Sequence, residues 1–403
     1  MSPPEDILAQ LRDTLDLLDG TRWFVENSTS DSMSFNFIGG NGDGPYSIQP
    51  INRFFEQKTF PFNSEVGSVG LQDYEGLLRF MPEDAMVIPG EYTPENNKSK
   101  NRWNGIHPLW RYHKYILYGD FVNKYGEPKD VADFAFKAQL VNYNQYRGLM
   151  EGFSSHMWEW YTGVIIWKTQ NPWTAMRGQM YDHFLDQNAG LYGLSHGSEA
   201  LHIFFDPVKE QVMIANNSFE AKNDLMIEVT CFDMAGKESL IYQELISVNP
   251  TTSKRFGILS KKLSPLKNEK GIFMLMKLID KDKNVLSENF YWLSDKIGEY
   301  SGLQQLKSVK IDASAEKLNN HRLKLQLKNP SLQNPVSFFN RISVVDKKTN
   351  KRVLPVFYSD NYLSILPGKE KTIWIDLSAL PDPGELKIQI SGWNTETFDV
   401  EIK

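Results

Sequence analysis

Apolar residues in the first half of the chain recur at helical spacing in two long stretches. The first follows a Pro-Pro-Glu-Asp start and carries Leu11, Leu15 and Leu18 on one side. Proline in the first turn and acidic groups near the positive end of the helix dipole are typical of a helix start, so we expect a helix over residues 3–18. The second stretch predicts a longer helix over residues 128–153.

Short strands and polar loops are predicted around these two helices. In chain order they are a strand at 23–25, a Gly-rich loop at 35–50, a strand ending at Glu65, a helix near 71–80, a loop through Trp103 and Trp110, and a strand at 163–167. Strands that alternate with helices are typical of a (β/α)8 barrel, whose chemistry lies at the C-terminal strand ends. The chain offers about half the strands that closure needs, so residues 1–195 are expected to form the second, C-terminal half of a TIM barrel. Its open sheet edges would need completion.

The pattern changes after Tyr192 to alternating strands separated by Asn, Gly, Lys and Pro turns, which is typical of β-sandwiches. Two units align at an offset of 113 residues: Asn216 corresponds to Asn329, and Asp233 corresponds to Asp346. We therefore expect two tandem immunoglobulin-like β-sandwich domains, at 196–302 and 303–403.

Composition narrows the function classes. A chain of 403 residues with net charge −6 and no basic patch argues against a nucleic-acid partner. No run of 18 apolar residues and no signal-like start is present, so no membrane association is expected. The single cysteine, Cys231, cannot form an internal disulfide, which leaves the compartment open. The protein is expected to be soluble, and periplasmic, secreted, or lysosomal or vacuolar if an upstream segment carries a signal.

Two kinds of short motif carry little weight. The Gly-rich run at 39–44 has the wrong glycine spacing for a phosphate loop. The sequons at Asn27, Asn97 and Asn216 are short enough to arise by chance.

Aromatic residues are distributed unevenly. Seven of the ten tryptophans fall in the first 200 residues. Aromatic rings pack against the C–H face of a sugar while polar groups bind its hydroxyls, so tryptophans on polar loops suit a carbohydrate cleft, although packing in a core is the commoner role for any one of them.

Four ordered motifs then point to a family. They are Phe62–Gly70, Gly163–Trp173, Tyr181–Gln187 and Leu354–Tyr362. Together they resemble glycoside hydrolase family 2, in the branch of exo-β-glucosaminidases and plant mannosylglycoprotein endo-β-mannosidases, over essentially the whole chain. The resemblance implies a β-linked oligosaccharide substrate, either a glucosaminide or a mannoside. Some members carry proline where Ser64 stands, which leaves the choice of sugar open.

The resemblance also assigns the chemistry. Retaining glycosidases use two carboxyl groups about 5–5.5 Å apart, one as nucleophile and one as acid/base. It makes Glu65 the nucleophile and places the acid/base upstream, just before a segment that resembles Pro3–Ile7. An N-terminal polypeptide carrying that carboxylate is therefore the expected partner. From position alone, Glu26 and Asp43 are weaker candidates for the acid/base.

Substrate contacts are expected from two sets of residues. Strand-end positions suggest Asn63, Ser64, Trp167, Lys168, Gln170, Asn171 and Trp173. A Trp-Arg-Tyr-His run that resembles the plant enzymes adds Trp110 and His113. The seven histidines show no metal-ligand spacing, so neither a metal nor another cofactor is expected.

Three functions therefore remain open from the sequence. The first is the nucleophile-bearing portion of a retaining β-glycosidase. The second is a non-catalytic carbohydrate-binding or assembly subunit. The third is a truncated fragment without independent activity.

Overall fold

The computed structural model describes residues 4–22, 24, 41–58, 61–67, 69–90, 105–380 and 384–403. Several predictions lie outside these residues: most of the strand at 23–25, most of the loop before residue 41, Glu26, Trp103 and the sequons at Asn27 and Asn97.

The helices in the described part of the chain are α1 (Glu5–Leu18), α2 (Ile51–Glu56), α3 (Tyr74–Leu78), α4 (Pro108–Tyr112), α5 (Gly119–Asn123), α6 (Val131–Ser155), α7 (Ala189–Gly197) and α8 (Ser260–Leu263), with 3-10 turns at Glu83–Ala85 and Ser301–Gln305. The two long predicted helices are confirmed as α1 and α6. The side chain of Asp130 caps α6 by accepting a hydrogen bond from the Asp133 amide at 2.8 Å, which fixes where the helix begins. Among these helices, none combines the length and apolarity that crossing a bilayer requires.

A small parallel sheet lies against α6. Its strands are β1 (Asn41–Asp43), β2 (Phe62–Val66) and β3 (Gly163–Ile166), in the order β1-β2-β3. The loop predicted over 35–50 is thus wrong at residues 41–43. An Asn-Gly-Asp segment has no apolar alternation, and it becomes a strand only by pairing with β2, where Asp43 lies opposite Glu65.

The first β-sandwich packs two sheets face to face. One sheet has the order β10-β9-β6-β7 and the other has β4-β5-β8. Ile214 from one sheet and Val229 and Met274 from the other meet in a shared buried core. The strands are β4 (Leu201–Asp206), β5 (Gln211–Asn216), β6 (Lys222–Phe232), β7 (Glu238–Val248), β8 (Thr252–Ile258), β9 (Ile272–Ile279) and β10 (Val285–Leu293).

The second sandwich repeats this strand order. Its sheets run β18-β17-β13-β15 and β11-β12-β16-β14, so each strand of the first sandwich has a counterpart in the same place. Leu325, Ile342 and Ile388 belong to its core. The strands are β11 (Asp312–Asn319), β12 (Arg322–Lys328), β13 (Ser337–Asp346), β14 (Phe357–Tyr358), β15 (Leu363–Ile365), β16 (Glu370–Asp376), β17 (Leu386–Ser391) and β18 (Phe398–Glu401).

The residues used to align the two units play the same roles in both. The buried Asn216 amide donates to the carbonyls of Glu220 and Asn249, each at 2.9 Å. The buried Asn329 amide likewise donates to two carbonyls, at 2.9 and 3.3 Å. The paired aspartates, Asp233 and Asp346, both accept backbone hydrogen bonds inside tight turns.

A buried polar network joins α6 to the first sandwich. The Glu151 carboxylate accepts hydrogen bonds from Asn289 at 2.6 Å and from the Tyr291 hydroxyl at 2.8 Å, and it lies 3.3 Å from Nε2 of His202. Burial lowers the pKa of His202, but the hydrogen bonds and charges of Glu151 and Glu199 raise it more, so the net shift is upward. The upward shift favours the imidazolium form, which is the cationic partner of this carboxylate.

Candidate active site

Glu65 lies near the end of β2, and three backbone or side-chain groups fix it there. The Tyr46 hydroxyl donates to its Oε1 at 2.7 Å. The buried Asn63 side chain accepts from the Glu65 amide at 3.2 Å and donates to the Gly44 carbonyl at 2.8 Å. The Gly44 amide donates to the Glu65 carbonyl at 2.7 Å. Asn63 thus ties β1 to β2 and orients the strand that carries the carboxylate.

The C-terminal ends of strands β2 and β3 approach each other closely at Gly67. The Trp167 amide donates to the Val66 carbonyl at 2.8 Å. A Cβ atom at Gly67 would lie 2.0 Å from the Trp167 carbonyl oxygen, so this position needs glycine. The contact brings Trp167 beside the segment that follows Glu65, and the peptide bond between Trp167 and Lys168 is cis.

Aromatic and cationic side chains are exposed in this region. Trp167 is 48% exposed, and the Lys168 ammonium lies 5.4 Å from the centre of its ring. The Arg177 guanidinium lies 5.4 Å from the centre of the Tyr46 ring, whose hydroxyl binds Glu65. Exposed aromatic faces beside a carboxylate suit a sugar ring.

A second aromatic group surrounds Trp173, which is half-buried. Its ring stacks on His113 at 5.8 Å and meets the exposed Tyr112 edge to face at 5.5 Å. His113 is only 7% exposed, packs against Phe80 and donates from Nδ1 to the Thr174 carbonyl at 2.5 Å. Burial lowers the pKa of His113. It therefore acts as a buried, hydrogen-bonded support under Trp173, and the predicted sugar contact is not what the structure shows.

The prediction for Trp110 is corrected for a similar reason. The sequence predicts a loop here, but Trp110 lies in α4 and is 0% exposed. Its indole donates to the Ala85 carbonyl at 2.9 Å, so its one polar atom is satisfied inside the core. Trp110 cannot contact a sugar in this conformation.

The remaining predicted residues divide into supports and exposed groups. Asn171 is buried and donates to the Arg177 carbonyl at 3.0 Å and to Gln179 at 2.7 Å, so it shapes the loop rather than facing solvent. Ser64 is half-buried in β2, and Gln170 is exposed beyond β3. Ser64, Trp167, Lys168, Gln170 and Trp173 are each at least partly exposed, and their contact with substrate stays a prediction.

Two residues were missed from the sequence: Tyr46, which binds Glu65, and Arg177, which lies over the Tyr46 ring. Tyr46 follows the Gly-Pro turn after β1, and the sequence does not predict that strand, so no signal marked this position. Arg177 lies in the loop after Trp173, where no periodic pattern marks its position. Among the described residues, no group of three His, Cys, Asp or Glu side chains could hold a metal ion.

The chain thus combines a carboxylate near the end of β2 with two β-sandwiches in which seven strands correspond and the second has an additional strand, β14. Residues 289–395 match the family described as the exo-β-D-glucosaminidase Ig-fold domain. The chain is homologous to the exo-β-glucosaminidase and endo-β-mannosidase branch of glycoside hydrolase family 2, which confirms the resemblance predicted from its motifs.

The curated relatives are named glycosidases. The mannosylglycoprotein endo-β-mannosidase of Lilium longiflorum is 33% identical, over 97% of this chain and 48% of its own length. The exo-β-D-glucosaminidases of Hypocrea jecorina and Amycolatopsis orientalis are 26% and 29% identical over 89% of this chain, and over 43% and 37% of their own lengths. The chain thus spans half or less of the length of these relatives.

Solved structures share the fold. The exo-chitosanase CsxA of Amycolatopsis orientalis aligns with a TM-score of 0.78 and 23% identity, over 99% of this chain and 50% of that one. The β-D-mannosidase of Dictyoglomus thermophilum aligns with a TM-score of 0.70 and 14% identity, over 97% of this chain and 45% of that one.

Proposed function

We propose that this chain carries the nucleophile of a retaining β-glycosidase, and that Glu65 is that nucleophile. The observation that carries the proposal is the fixed position of Glu65: Tyr46 binds one carboxylate oxygen and Asn63 holds the strand backbone. A nucleophile must be held near its attacking geometry for the enzyme to gain from proximity.

The chemistry follows from that arrangement. With Oε1 bound by Tyr46, Oε2 attacks the anomeric carbon, the glycosidic bond breaks, and a glycosyl ester forms on Glu65. A second carboxylic acid protonates the departing oxygen and then removes a proton from the water that hydrolyses the ester. We propose that this acid/base comes from the part of the relatives that the chain does not span, on an N-terminal polypeptide or segment.

The same proposal covers the architecture. The sheet β1-β2-β3 and its helices would be the C-terminal half of a (β/α)8 barrel over residues 1–195, completed by a counterpart of the region of the relatives that this chain does not span. The two sandwiches would be separate domains near 196–302 and 303–403. A β-linked oligosaccharide would then bind across the ends of β2 and β3.

For the sugar, we favour a mannoside over a glucosaminide. The higher identity to the endo-β-mannosidase supports this choice. A second support is charge: the Arg177 guanidinium lies over the Tyr46 ring, whose hydroxyl binds Glu65, and Lys168 lies over the Trp167 ring in the same region. A glucosamine residue is cationic at neutral pH, and two nearby cations disfavour it, whereas they do not disfavour a neutral mannose.

Covalent labelling tests the nucleophile. The complete protein should be labelled by a 2-fluoro-β-mannoside on the peptide that contains Phe62–Gly67, and Glu65→Gln should abolish both the label and nearly all turnover. Glu83→Gln is the matched control, because Glu83 is exposed in a 3-10 turn away from the site. A label on another carboxylate would overturn the assignment. Sugar binding without labelling would favour the non-catalytic subunit.

Substrate preference is measured separately. The ratio of kcat/KM for an aryl β-mannoside to that for an aryl β-glucosaminide should exceed one, and Arg177→Met should lower this ratio. A ratio below one in the unmodified protein would contradict the choice of a mannoside while leaving the role of Glu65 intact.

A further inference from the structure

We propose that Arg341 and Arg352 of the second sandwich are positioning residues for the site, because they clamp together the two loops that follow β2 and β3. The proposal deepens the proposed function, since its effect on catalysis rests on Glu65 being the nucleophile. Its structural part, that the two arginines hold both loops, stands on the contacts alone.

Both arginines reach the same two carboxylates. Arg352 binds Asp73 with N–O distances of 3.2 and 3.0 Å and also pairs with Asp186. Arg341 lies 3.3 Å from Asp186 and pairs with Asp73. Glu75 completes the group as a further partner of Arg352. Both arginines are 8% exposed, so this is a buried cluster in which each guanidinium fork spans two acidic groups.

Asp73 is tied closely to the nucleophile strand. It lies eight residues after Glu65 and caps α3 by accepting a hydrogen bond from the Gly76 amide at 3.0 Å. Between them, the Tyr118 hydroxyl accepts from the amides of Gly70 and Leu71 at 2.9 and 3.1 Å. Asp73 thus belongs to the anchored segment that follows β2, and its displacement would disturb that segment.

Asp186 is tied in the same way to the loop after β3. The Asp186 carbonyl accepts from the Asp182 amide at 2.9 Å, and the next residue, Gln187, donates from its side chain to the Val356 carbonyl at 3.1 Å. Tyr181, beside Asp182, donates its amide to the Thr169 carbonyl at 2.9 Å. The chain between Thr169 and Tyr181 holds the exposed Gln170 and the half-buried Trp173, so the arginines also hold the loop expected to meet the sugar.

One pair of side chains thus connects the sandwich to both sides of the site. If the sandwich only packed against the sheet, apolar contacts would be enough. An ion cluster shared between the sandwich and both loops would not be needed. Here each arginine binds one acid from each loop, so the spacing between the loops is set by the width of the clamp. This gives the second sandwich a role in catalysis through the two loops.

The test compares Arg352→Met and Arg352→Lys with Arg255→Met in the complete protein. Arg255 is the matched control, because it forms an ion pair between the first sandwich and Glu159 at 3.5 Å with both side chains more than half exposed. Amide hydrogen exchange is followed in peptides covering 69–78 and 179–188, and the rate of Glu65 labelling by the 2-fluoro glycoside is followed in parallel.

Arg352→Met should speed exchange in both loops and slow labelling and kcat by ~10²-fold, since a displacement of about 1 Å has that cost. Arg352→Lys should recover part of the loss, and Arg255→Met should change neither readout. Faster exchange in only one loop, or unchanged kcat in a variant whose loops exchange faster, would overturn the proposal.

A pH readout separates positioning from general loss of stability. Burial and then the charge of Asp186 raise the pKa of the neighbouring Asp182 to about 6, against the opposing effects of the Asp186 and Phe184 amides and the charge of Arg79. Removal of an arginine leaves Asp186 less neutralised, so the titration of loop exchange should move to higher pH in Arg352→Met. An unmoved titration would contradict the clamp. If Arg352→Met fails to fold, Arg341→Met gives the same comparison, because Arg341 contacts the same two carboxylates.

The two proposals fail differently. If Glu65 is not labelled in the unmodified protein, the nucleophile assignment is wrong. Hydrogen exchange in the two loops then still tests whether the arginines hold them. Normal labelling with unchanged exchange in every arginine variant would contradict the clamp alone.

Discussion

Asp182 is a buried carboxyl group with only part of its oxygen atoms satisfied. Its Oδ1 accepts from the Phe184 and Asp186 amides at 2.8 and 2.9 Å. Oδ2 is buried without a hydrogen-bond partner among the described residues. Burial, followed by the charge of Asp186, raises its pKa from 3.8 to about 6. The fold therefore favours the protonated acid, and the ionised form costs stability.

This predicts the sign of a pH effect. Because the folded pKa lies above the unfolded one, the stabilising contribution is present below about pH 4 and lost as pH rises through 6. Asp182→Asn keeps an oxygen for the two amides, so it should stabilise the protein at pH 8 by up to ~3 kcal/mol and have little effect at pH 4. Differential scanning calorimetry at both pH values measures this.

Asp346→Asn provides the comparison, since the backbone and side chain of Thr349 lower the pKa of that exposed carboxyl. Its substitution should not stabilise the protein at pH 8. A difference between Asp182→Asn and the unmodified protein that does not depend on pH would show that the carboxyl is ionised without cost.

Residue identity alone indicated some site positions and misplaced others. Glu65 and Trp167 follow apolar strand segments, so their position at a strand end could be predicted. Trp110 and His113 lie in an equally aromatic run, yet tertiary packing buries both. Tyr46 was missed because its hydrogen bond to Glu65 depends on β1 pairing with β2, a contact that no local pattern contains.

At the scale of elements, prediction succeeded where a repeat of apolar positions was long. α1 and α6 follow helical spacing over several turns, and the sandwich strands alternate with clear turn residues between them. The sequence did not predict β1 because this strand has only three residues, all of them polar or small. The short helices α4 and α5 also lack enough turns to show a period, and they form through packing around Trp110 and Tyr118.

The paired asparagines make the repeat between the sandwiches testable. Asn216 and Asn329 each lie at the end of a strand, and each buried side chain donates two hydrogen bonds to backbone carbonyls. Asn216→Ala and Asn329→Ala should each cost about 1–3 kcal/mol, because each removes two hydrogen bonds made by a buried amide. Urea unfolding of the single and double variants measures this, and the two costs should add because the sites lie in different cores.

Asn27 and Asn97 lie outside the described residues, so they cannot serve as controls. Asn319 can, because it is exposed in a hairpin turn. Asn319→Ala should cost less than either buried variant. A larger cost at Asn319, or no cost at Asn216, would contradict equal roles for the two asparagines. The burial of Asn216 also means that its sequon is inaccessible in the folded protein.

At the scale of the whole molecule, α6 is held to the first sandwich by charge as well as by packing. Glu151, His202 and Asn289 meet in a buried network, and the Arg147 guanidinium from the same helix donates to the Phe290 carbonyl. Because the folded state raises the pKa of His202, its contribution is present at low pH and is lost as pH rises through the folded value.

Glu151→Ala should therefore destabilise the protein by about 3–5 kcal/mol, since it leaves His202 and Arg147 without a buried carboxylate. Glu159→Ala is the control: its ion pair with Arg255 is exposed at both ends and should contribute less than about 1 kcal/mol. Calorimetry should show the larger loss only for Glu151→Ala. Equal losses of stability in the two variants would mean that apolar packing, and not the buried charges, holds α6 to the first sandwich.

The pairing of β2 with β3 has a consequence for the time course of folding. Phe62 lies opposite Gly163, so the pair closes a loop of roughly one hundred residues, whereas β9 and β10 are joined by a short turn. Long loops are slow to close, and contacts between neighbouring strands form early. After dilution from denaturant, the first sandwich should regain its ordered strands while β2 is still unpaired. Glu65 then becomes fixed late, when most of the chain between β2 and β3 has already folded.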